Sequence, residues 1–354
     1  MQFTDTHAHY FDRKFDVLPG GAQGVLNDPA FRASVRAVIN IGTNLQNSRE
    51  AVAQAARYPF MAAAVGIHPE DCQVYPGAPG WYEGQKPLEP EEELPRLRAW
   101  LADPAARRRD KIVAIGEIGL DRHWQPVDSP RQQAFFDGQL ALAVELDLPV
   151  IVHDREAHGA CLDAVCRHEG VRGVFHGFSG SAEMAKELVR RGFFIAFGGA
   201  LTYRGADRLR AVATSVPPDR LLLETDCPYM PPVPLRGTVN RSDNILHIAR
   251  VLAPLHGMTP EELADITNRN AVRLFELDAI LAVALGGNSL GGGKFRLAGS
   301  IIGAYTIQAI TTTLYALGIS TEQAPVYKAV IVIIIVAIQA PPFKAFMKKM
   351  SVRR

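Results

Sequence analysis

The sequence predicts an α/β fold, a (β/α)8 (TIM) barrel over residues 1–277, followed by a hydrophobic helical hairpin within residues 278–354. Eight short apolar runs alternate with longer amphipathic stretches, which is the pattern of repeated strand and helix units around a parallel sheet. Eight such units fit the usual length of this barrel. Polar side chains also follow most of the runs, and functional groups of this fold collect at the carboxyl ends of its strands.

Each barrel unit begins with a run rich in Val, Ile and Phe and continues into a helical stretch. The runs have the length of buried strands, and the longer stretches repeat apolar residues at helical spacing. The predicted strands cover residues 3–9, 37–42, 61–68, 111–120, 149–153, 172–178, 193–198 and 220–226. The clearest predicted helices cover residues 47–57, 129–146, 182–191 and 242–256.

The first predicted strand carries His7 and His9, two residues apart. Side chains alternate between the faces of a strand, so both imidazoles point the same way and can hold one metal ion. Hydrogen-bonded polar residues that cap the strands are the alternative, but buried charges and imidazoles on one rim are costly without a cation. The convergence therefore predicts a metal site. Later strand ends add His68, Glu117, His153, His176 and Asp226.

The charge distribution divides the chain near residue 277. The 354 residues have a net charge of +1, but residues 1–277 hold 30 basic and 35 acidic groups, whereas residues 278–354 hold eight basic and two acidic groups. A mildly acidic barrel lacks the broad basic surface of a nucleic-acid binder, so a phosphate substrate would be recruited locally, by a metal or a few arginines. The four cysteines form no Cys-x-x-Cys pair, which favours free thiols in a reducing compartment.

Six motifs at the predicted strand ends resemble those of TatD-type metal-dependent hydrolases, within the amidohydrolase superfamily. The resemblance spans residues 1 to about 277 and includes the closing stretch 268–275. The motifs are THAH at 6–9, GIHP at 66–69, GEIGLD at 116–121, VHDR at 152–155, FHGFSG at 175–180 and ETDCPY at 224–229.

The resemblance implies a site for two divalent metal ions. Carboxylates and imidazoles suit Mg, Mn or Zn, and the ligand types alone do not choose between them. The implied arrangement places one ion on His7, His9 and Asp226, the other on His153 and His176, and Glu117 between the two.

Asp226 and Glu117 are the predicted catalytic residues. Two divalent ions lower the pKa of a shared water and stabilise the attacking and leaving oxygens of a phosphodiester. Asp226 binds metal and is also placed to accept a proton from that water, which makes it the predicted general base. We therefore predict a phosphodiester hydrolase, a DNase of exonuclease type that acts on nucleic acid ends or single strands.

Two other functions stay open on the sequence. An amidohydrolase of C–N or ester bonds would share the barrel, but many of those enzymes use a carboxylated lysine at the end of strand four. This chain has Glu117 there, and Lys111 lies at the start of the strand. The second alternative is a membrane-transport component with an inactive barrel, against which the intact ligands at all six positions argue.

Substrate contacts are predicted for His68, Arg122 and Arg155, which belong to or follow the strand-end motifs. Arginine binds phosphate bidentately, whereas a buried hydrogen-bonded histidine and surface salt bridges are the alternatives. Glu224 points to the same side of its strand as Asp226. It either orients a ligand histidine or pairs with an arginine.

Two further features carry weaker signals. A nucleophilic role for Cys227 is disfavoured, because a metal-activated water already serves and no histidine base is linked to it in sequence. Residues 75–93 form a loop rich in Pro and Gly that holds Trp81 and Tyr82. These aromatics either stack on unpaired bases or pack within the loop.

The segment from about residue 279 resembles the C-terminal part of permease subunits of bacterial sugar-importing ABC transporters. Residues 297–321 and 329–343 are uncharged, and the first of these runs is long enough for a membrane helix. Basic residues flank both runs, which predicts a hairpin with both ends on the cytoplasmic side. The barrel would then be cytoplasmic, tethered to the inner face of the membrane through 297–343. The glycines at 286–293 lack the spacing of a phosphate-binding loop, so no nucleotide cofactor is predicted.

Overall fold

Eight parallel strands form a nearly closed barrel, with helices between them, as the sequence predicts. The computed structural model describes residues 1–75, 84–125, 127–275 and 313, and the barrel lies in a compact unit, Met1–Glu276. The strands are β1 (Phe3–Ala8), β2 (Val35–Ile41), β3 (Met61–Val65), β4 (Ile112–Asp121), β5 (Val150–Arg155), β6 (Gly173–Phe175), β7 (Phe194–Phe197) and β8 (Leu221–Leu223). They pair in chain order from β1 to β8.

The helices predicted at 47–57, 129–146 and 182–191 are present with ends within two residues of the prediction. The helix predicted at 242–256 begins instead with a 3-10 turn, Ser242–Asn244, and ends one residue early. In the described residues the α-helices are α1 (Gly21–Leu26), α2 (Pro29–Ser34), α3 (Leu45–Arg57), α4 (Pro90–Leu101), α5 (Pro104–Arg109), α6 (Ser129–Leu146), α7 (His158–Arg167), α8 (Ala182–Arg190), α9 (Asp207–Ser215), α10 (Ile245–Leu255) and α11 (Pro260–Phe275).

Three predicted strands end three residues earlier than expected, and one of them, β6, ends at Phe175 rather than at residue 178. β3 ends at Val65 rather than at His68, whose backbone N–H donates instead to Thr43 O at 2.8 Å. β8 ends at Leu223 rather than at Asp226, because Asp226 has a φ of +58°. That left-handed conformation is incompatible with a strand, so Asp226 reaches the rim on a turn.

The segment after β8 closes the barrel against β1. Ala8 forms an isolated bridge with Cys227. The backbone N–H of His9 donates to Cys227 O at 2.7 Å, and that of Asp226 donates to His7 O at 2.9 Å. The turn that carries Asp226 is therefore hydrogen-bonded directly to the strand end that carries the two histidines.

The strands are buried on both faces, as expected of a parallel sheet covered by helices. Every residue of β1 and of β3 is buried. At the amino end of the barrel, the Asn268 amide of α11 accepts a hydrogen bond from Thr4 N at 2.7 Å, and Asn270 donates to Leu221 O at 2.8 Å. One helix thus ties the beginning of β1 to that of β8, and the opposite end of the barrel carries the polar cluster described below.

Several predictions from the sequence fall on residues that the structure does not describe. Apart from residue 313, the hydrophobic hairpin over 297–343 lies outside the described residues, as do Trp81 and Tyr82. Within the described part of the chain, no helix combines the length and the apolar character needed to span a membrane.

Candidate metal centre

The carboxyl ends of the strands gather the six predicted metal ligands into one cluster. His7 lies near the end of β1, and His9 is the first residue after that strand. Their Nε2 atoms are 3.1 Å apart. Both side chains are buried. The alternation of side chains along a strand therefore brings the two imidazoles to the same point, as predicted.

Glu117 of β4 lies at the middle of the cluster. Its Oε2 atom is 3.1 Å from His7 Nε2 and 3.7 Å from His9 Nε2. Its Oε1 atom is 2.8 Å from His153 Nδ1 and 2.6 Å from His176 Nε2. One buried carboxylate thus presents a separate oxygen to each of two imidazole pairs.

Asp226 joins the half of the cluster that is built on β1. Its Oδ1 atom lies 3.4 Å from His9 Nε2 and 3.9 Å from His7 Nε2. The side chain is 24% exposed, whereas that of Glu117 is 5% exposed. Asp226 is therefore the carboxylate of the cluster that water or a substrate reaches more easily.

In the half of the cluster built on His153 and His176, a carboxylate faces each imidazole at the ring nitrogen that points away from Glu117. Asp121 Oδ2, at the end of β4, lies 2.9 Å from His153 Nε2. Glu224 Oε1 lies 3.5 Å from His176 Nδ1 and accepts the Gly177 backbone N–H at 2.5 Å. Of the two roles predicted for Glu224, its position matches the one in which it orients a histidine of the cluster.

Asp121 reaches His153 because β4 and β5 approach closely at Gly119. Gly119 has a φ of +148°, and a Cβ atom there would lie 1.9 Å from His153 O. Gln132 of α6 holds the Asp121 backbone from the other side, accepting from its N–H and donating to its carbonyl, both at 2.9 Å. Asp121 is not among the site residues predicted from the sequence. Its signal is its position four residues after Glu117, which puts both carboxylates on one face of the strand.

The half built on β1 has a different support. His9 Nδ1 lies 2.8 Å from the carbonyl oxygen of Ile41, whereas His7 Nδ1 is buried without a hydrogen-bond partner among the described residues. Beneath them, the Asp5 carboxylate accepts hydrogen bonds from Thr225 N at 2.9 Å and Thr225 Oγ1 at 2.5 Å. Burial raises the pKa of Asp5 to about 7.

The protonation states of the cluster are strongly coupled to one another. Burial raises the pKa of Glu117, but the imidazoles of His176, His7 and His68 outweigh it and hold that pKa well below its usual value. Burial lowers the pKa of His153, but hydrogen bonds with Asp121 and Glu117 reverse the effect and raise it to about 9. Burial lowers the pKa of His7, and the His176 ring stacked on it at 3.8 Å acts in the same direction.

The donor chemistry of the cluster fits divalent metal ions. Two trios of metal-ligating atoms share Glu117, namely His7 with His9 and His153 with His176, and the atoms of each trio lie within 4.8 Å of one another. Imidazole nitrogens and carboxylate oxygens are ordinary ligands of Zn and Mn. An anionic carboxylate enclosed by imidazoles is also expensive to bury unless a cation compensates it.

The predicted substrate-binding residues lie beside this cluster but differ in burial. His68 is buried; its Nδ1 accepts the Glu70 N–H at 3.1 Å, and its Nε2 lies 3.5 Å from Glu117 Oε1. Arg122 and Arg155 are exposed, and the Arg122 N–H donates to Arg155 O at 3.0 Å. Among the described residues neither guanidinium forms an ion pair with a carboxylate, so the salt-bridge alternative has no partner there.

Two residues near the cluster were not predicted from the sequence. Glu70 approaches His68 and His153 to form a further trio of metal-ligating atoms, and its pKa is raised, first by burial and also by the nearby Asp121. Trp124 is exposed on the turn after β4. Both follow strand-end motifs by only one to three positions, which is the signal that would have found them.

Cys227 is buried beside Ser242, with 3.8 Å between Sγ and Oγ. Burial raises the pKa of its thiol far above the usual value. A thiolate nucleophile is therefore disfavoured at this position, in agreement with the sequence analysis.

Comparison with known proteins matches the barrel to one family. The sequence model of a family described as TatD related DNase matches residues 4–276. Over 277 residues the chain is 35% identical to YabD of Bacillus subtilis, described as an uncharacterized metal-dependent hydrolase, and the match covers 77% of this chain and 99% of YabD. It is 36% identical over 252 residues to a protein of Cronobacter sakazakii described as 3'-5' ssDNA/RNA exonuclease TatD, which covers 69% of this chain and 88% of the relative.

A solved structure agrees with the sequence relatives. The crystal structure of YjjV, a TatD homologue from Escherichia coli, matches with a TM-score of 0.65 and 34% identity, over 77% of this chain and 98% of YjjV. The family resemblance predicted from the six motifs is therefore confirmed. The family match ends at residue 276, so the likeness of the following segment to transporter subunits stays a prediction.

Proposed function

The chain belongs to the TatD family of metal-dependent hydrolases, and from that premise we propose that it hydrolyses phosphodiester bonds of nucleic acid, as an exonuclease acting on single strands or ends. The observation that carries the proposal is Glu117, whose two carboxylate oxygens each face one pair of imidazoles. A relative described as a 3'-5' ssDNA/RNA exonuclease supports this choice of substrate.

We assign the first metal position to His7, His9 and Asp226 and the second to His153 and His176, with Glu117 shared. When bound, two divalent ions supply an acidified water and stabilise the charge on the attacking and leaving oxygens of a phosphodiester. Mg, Mn and Zn all suit these ligands. The Asp121 carboxylate keeps His153 in the tautomer whose Nδ1 is free to bind, because Asp121 accepts the proton on Nε2.

Asp226 is the proposed general base. Burial raises its pKa, but the hydrogen bond from His9 and the charges of His7 and His9 reverse the effect and lower it. The carboxylate is therefore ionised at neutral pH, and its partial exposure leaves an oxygen available to take a proton. A positioned base of this kind contributes about 10² to 10⁴-fold to a rate.

His68, Arg122 and Arg155 are the proposed substrate contacts. Since His68 Nδ1 accepts a backbone N–H, its proton is on Nε2, on the side of the metal cluster. The two arginines offer guanidinium groups free of carboxylate partners within the described residues. A phosphate group that enters beside β4 and β5 would meet both.

The hydrolysis of C–N bonds by a carboxylated-lysine centre is the less favoured alternative. Lys111, the lysine nearest to the cluster along β4, donates Nζ to Ala55 O at 2.7 Å and to Tyr58 O at 2.8 Å. These carbonyls lie at the end of α3 and just after it. Lys111 therefore caps a helix and takes no part in the cluster.

In the decisive experiment, full-length protein is incubated with Mg or Mn and, in separate reactions, with a single-stranded DNA, a panel of dipeptides and an ester. We expect release of mononucleotides from DNA and a loss of about 10² to 10⁴-fold in Asp226→Asn. Val144→Ala is the control, because Val144 is exposed near the end of α6, just before the start of β5. Cleavage of the ester or a dipeptide without cleavage of DNA would overturn the proposal, as would full nuclease activity in Asp226→Asn.

A further inference from the structure

Trp124 is the large exposed aromatic side chain nearest in sequence to the predicted ligands of β4. It is 47% exposed and lies on the turn after that strand. A single exposed aromatic ring is ordinary on a protein surface, so its exposure alone does not mark a site. The argument depends instead on how the backbone of Trp124 is held and on the charges beside its ring.

The Asp121 carboxylate fixes the backbone that carries Trp124. Its Oδ1 accepts the N–H of His123 at 2.9 Å and that of Trp124 at 3.2 Å. Its other oxygen faces His153 Nε2 at 2.9 Å. A single buried side chain thus holds both a proposed metal ligand and the turn with the indole, so the ring has a defined position relative to the metal centre.

Positive charge lies beside the same ring. The Arg155 guanidinium is 5.3 Å from the centroid of Trp124, a cation–π distance. Arg122 lies next to Arg155, since their backbones are hydrogen-bonded. His123 packs edge-on against the indole at 4.9 Å, and Glu156 holds its Nδ1 at 2.6 Å. Arg155 and His123 therefore contact the indole ring, but about half of the side chain stays exposed to solvent.

We propose that Trp124 is a stacking platform for an unpaired nucleobase of the nucleotide next to the hydrolysed bond, and that Arg155 and Arg122 bind the phosphates on either side of that base. The inference rests on the proposed nuclease function and names the feature of the substrate that the site reads. Stacking on an aromatic ring is tolerant of sequence but requires an unpaired base. It therefore selects single strands over duplexes, and polynucleotides over substrates without bases.

The test measures binding rather than turnover. Full-length, manganese-loaded protein is titrated into a fluorescein-labelled oligothymidylate with a phosphorothioate backbone, which resists hydrolysis, and anisotropy reports the affinity. Trp124→Ala should bind about ten-fold more weakly, the effect of losing one base–aromatic stack. Trp124→Phe keeps a ring and should recover most of the affinity, while Val144→Ala should match the parent protein. Thermal melting of each variant checks that it is folded.

A second series tests whether the ring meets a base directly. Oligothymidylates with one abasic residue at successive positions are bound to the parent protein and to Trp124→Ala. At one position of the oligonucleotide, the missing base and the Trp124→Ala substitution together should reduce the binding affinity no more than either change alone. Equal affinity of Trp124→Ala and the parent protein, or full additivity at every position, would overturn the platform. If the protein cleaves DNA but its affinity does not depend on Trp124, the platform fails and the nuclease proposal stands. If its affinity depends on Trp124 but it does not cleave DNA, only the nuclease proposal fails.

Discussion

The two halves of the proposed metal centre use the same kinds of residue but support them differently. In the half built on β1, His9 contacts a backbone carbonyl and His7 Nδ1 has no hydrogen-bond partner in the described residues. In the half built on β5 and β6, His153 contacts the Asp121 carboxylate at 2.9 Å, whereas His176 Nδ1 faces that of Glu224 at 3.5 Å and, within the described residues, forms no hydrogen bond. A carboxylate partner makes an imidazole more basic and a stronger metal ligand.

The proton affinities differ in part between the halves: the pKa values of His153 and His176 are both raised, whereas in the β1 half that of His9 is raised and that of His7 is lowered. Burial lowers the pKa of His7. Burial acts in the same direction on His176, but the charge and hydrogen bond of Glu117 outweigh it and raise the pKa well above its usual value. Metal binding requires neutral imidazoles, so a proton competes with the metal ion at both imidazoles of the carboxylate-supported half but only at His9 in the β1 half. We expect the β1 half to keep its ion at lower pH.

The largest expected effect removes the residue that both halves share. Glu117→Gln keeps the size of the side chain but removes its charge, so both metal positions lose an anionic ligand. We expect nuclease activity to fall by about three orders of magnitude, in keeping with the several kcal/mol that metal ions contribute to charge stabilisation. Metal content measured by mass spectrometry should fall from two ions toward none.

Variants of single ligands show whether Glu117 is special in this respect. His9→Asn and His153→Asn each touch one half and should each retain about one ion. If Glu117→Gln also retains one ion at full occupancy, the carboxylate does not bridge the halves and the comparison fails.

The sequence predicts the ligands better than their supports, for a physical reason. The alternation of His7 and His9 and the order of the later strand ends depend on local periodicity, which short strands obey. Asp226 was predicted at a strand end but lies on a left-handed turn, which periodicity does not reveal. Asp121 and Trp124 depend on hydrogen bonds between the end of β4, β5 and α6, and such long-range contacts leave no repeat in the sequence.

Removing the carboxylate behind one imidazole should weaken one half only. In Asp121→Asn, the amide still accepts the backbone hydrogen bonds at Oδ1, but its NH2 group then faces His153 Nε2. That contact favours the tautomer with the proton on Nδ1, the atom that faces Glu117. We expect affinity for one ion to fall by about 10- to 100-fold, measured by calorimetric titration with Mn.

The ion at the first position gives the internal control for Asp121→Asn, because His7, His9 and Asp226 do not contact Asp121. Glu224→Gln should weaken the same binding step through His176, by a smaller factor, since the Glu224 contact at 3.5 Å is longer than the Asp121 contact at 2.9 Å. Equal weakening of both binding steps would mean that the halves act as one unit.

The smallest expected effect is on the pH dependence of stability without metal. The pKa of His153 is about 9 in the folded protein and about 6.5 when unfolded. Because the folded value is higher, its stabilisation is complete below about pH 6.5 and is lost as the pH rises through about 9. A difference of about 2.5 pKa units corresponds to about 3 kcal/mol, so metal-free protein should lose on the order of 10 °C of melting temperature over this range, at about 2–4 °C per kcal/mol for a domain of this size. The pKa of Asp5 is raised to about 7 in the folded protein. Its contribution to stability is therefore also lost as the pH rises, but over a lower range that ends near pH 7.

Metal reverses this trend, which ties the pH effect to the carboxylate-supported half. Divalent ions bind deprotonated imidazoles, so their stabilising effect grows over the same pH range. Manganese-loaded protein should melt at a nearly constant temperature from about pH 6.5 to 9.5, whereas Asp121→Asn should flatten the slope of the metal-free protein because the pKa of His153 falls. Calorimetric scans at matched ionic strength measure both slopes. A parent slope that is the same with and without manganese, or one that Asp121→Asn leaves intact, would show that protons and metal ions do not compete at His153.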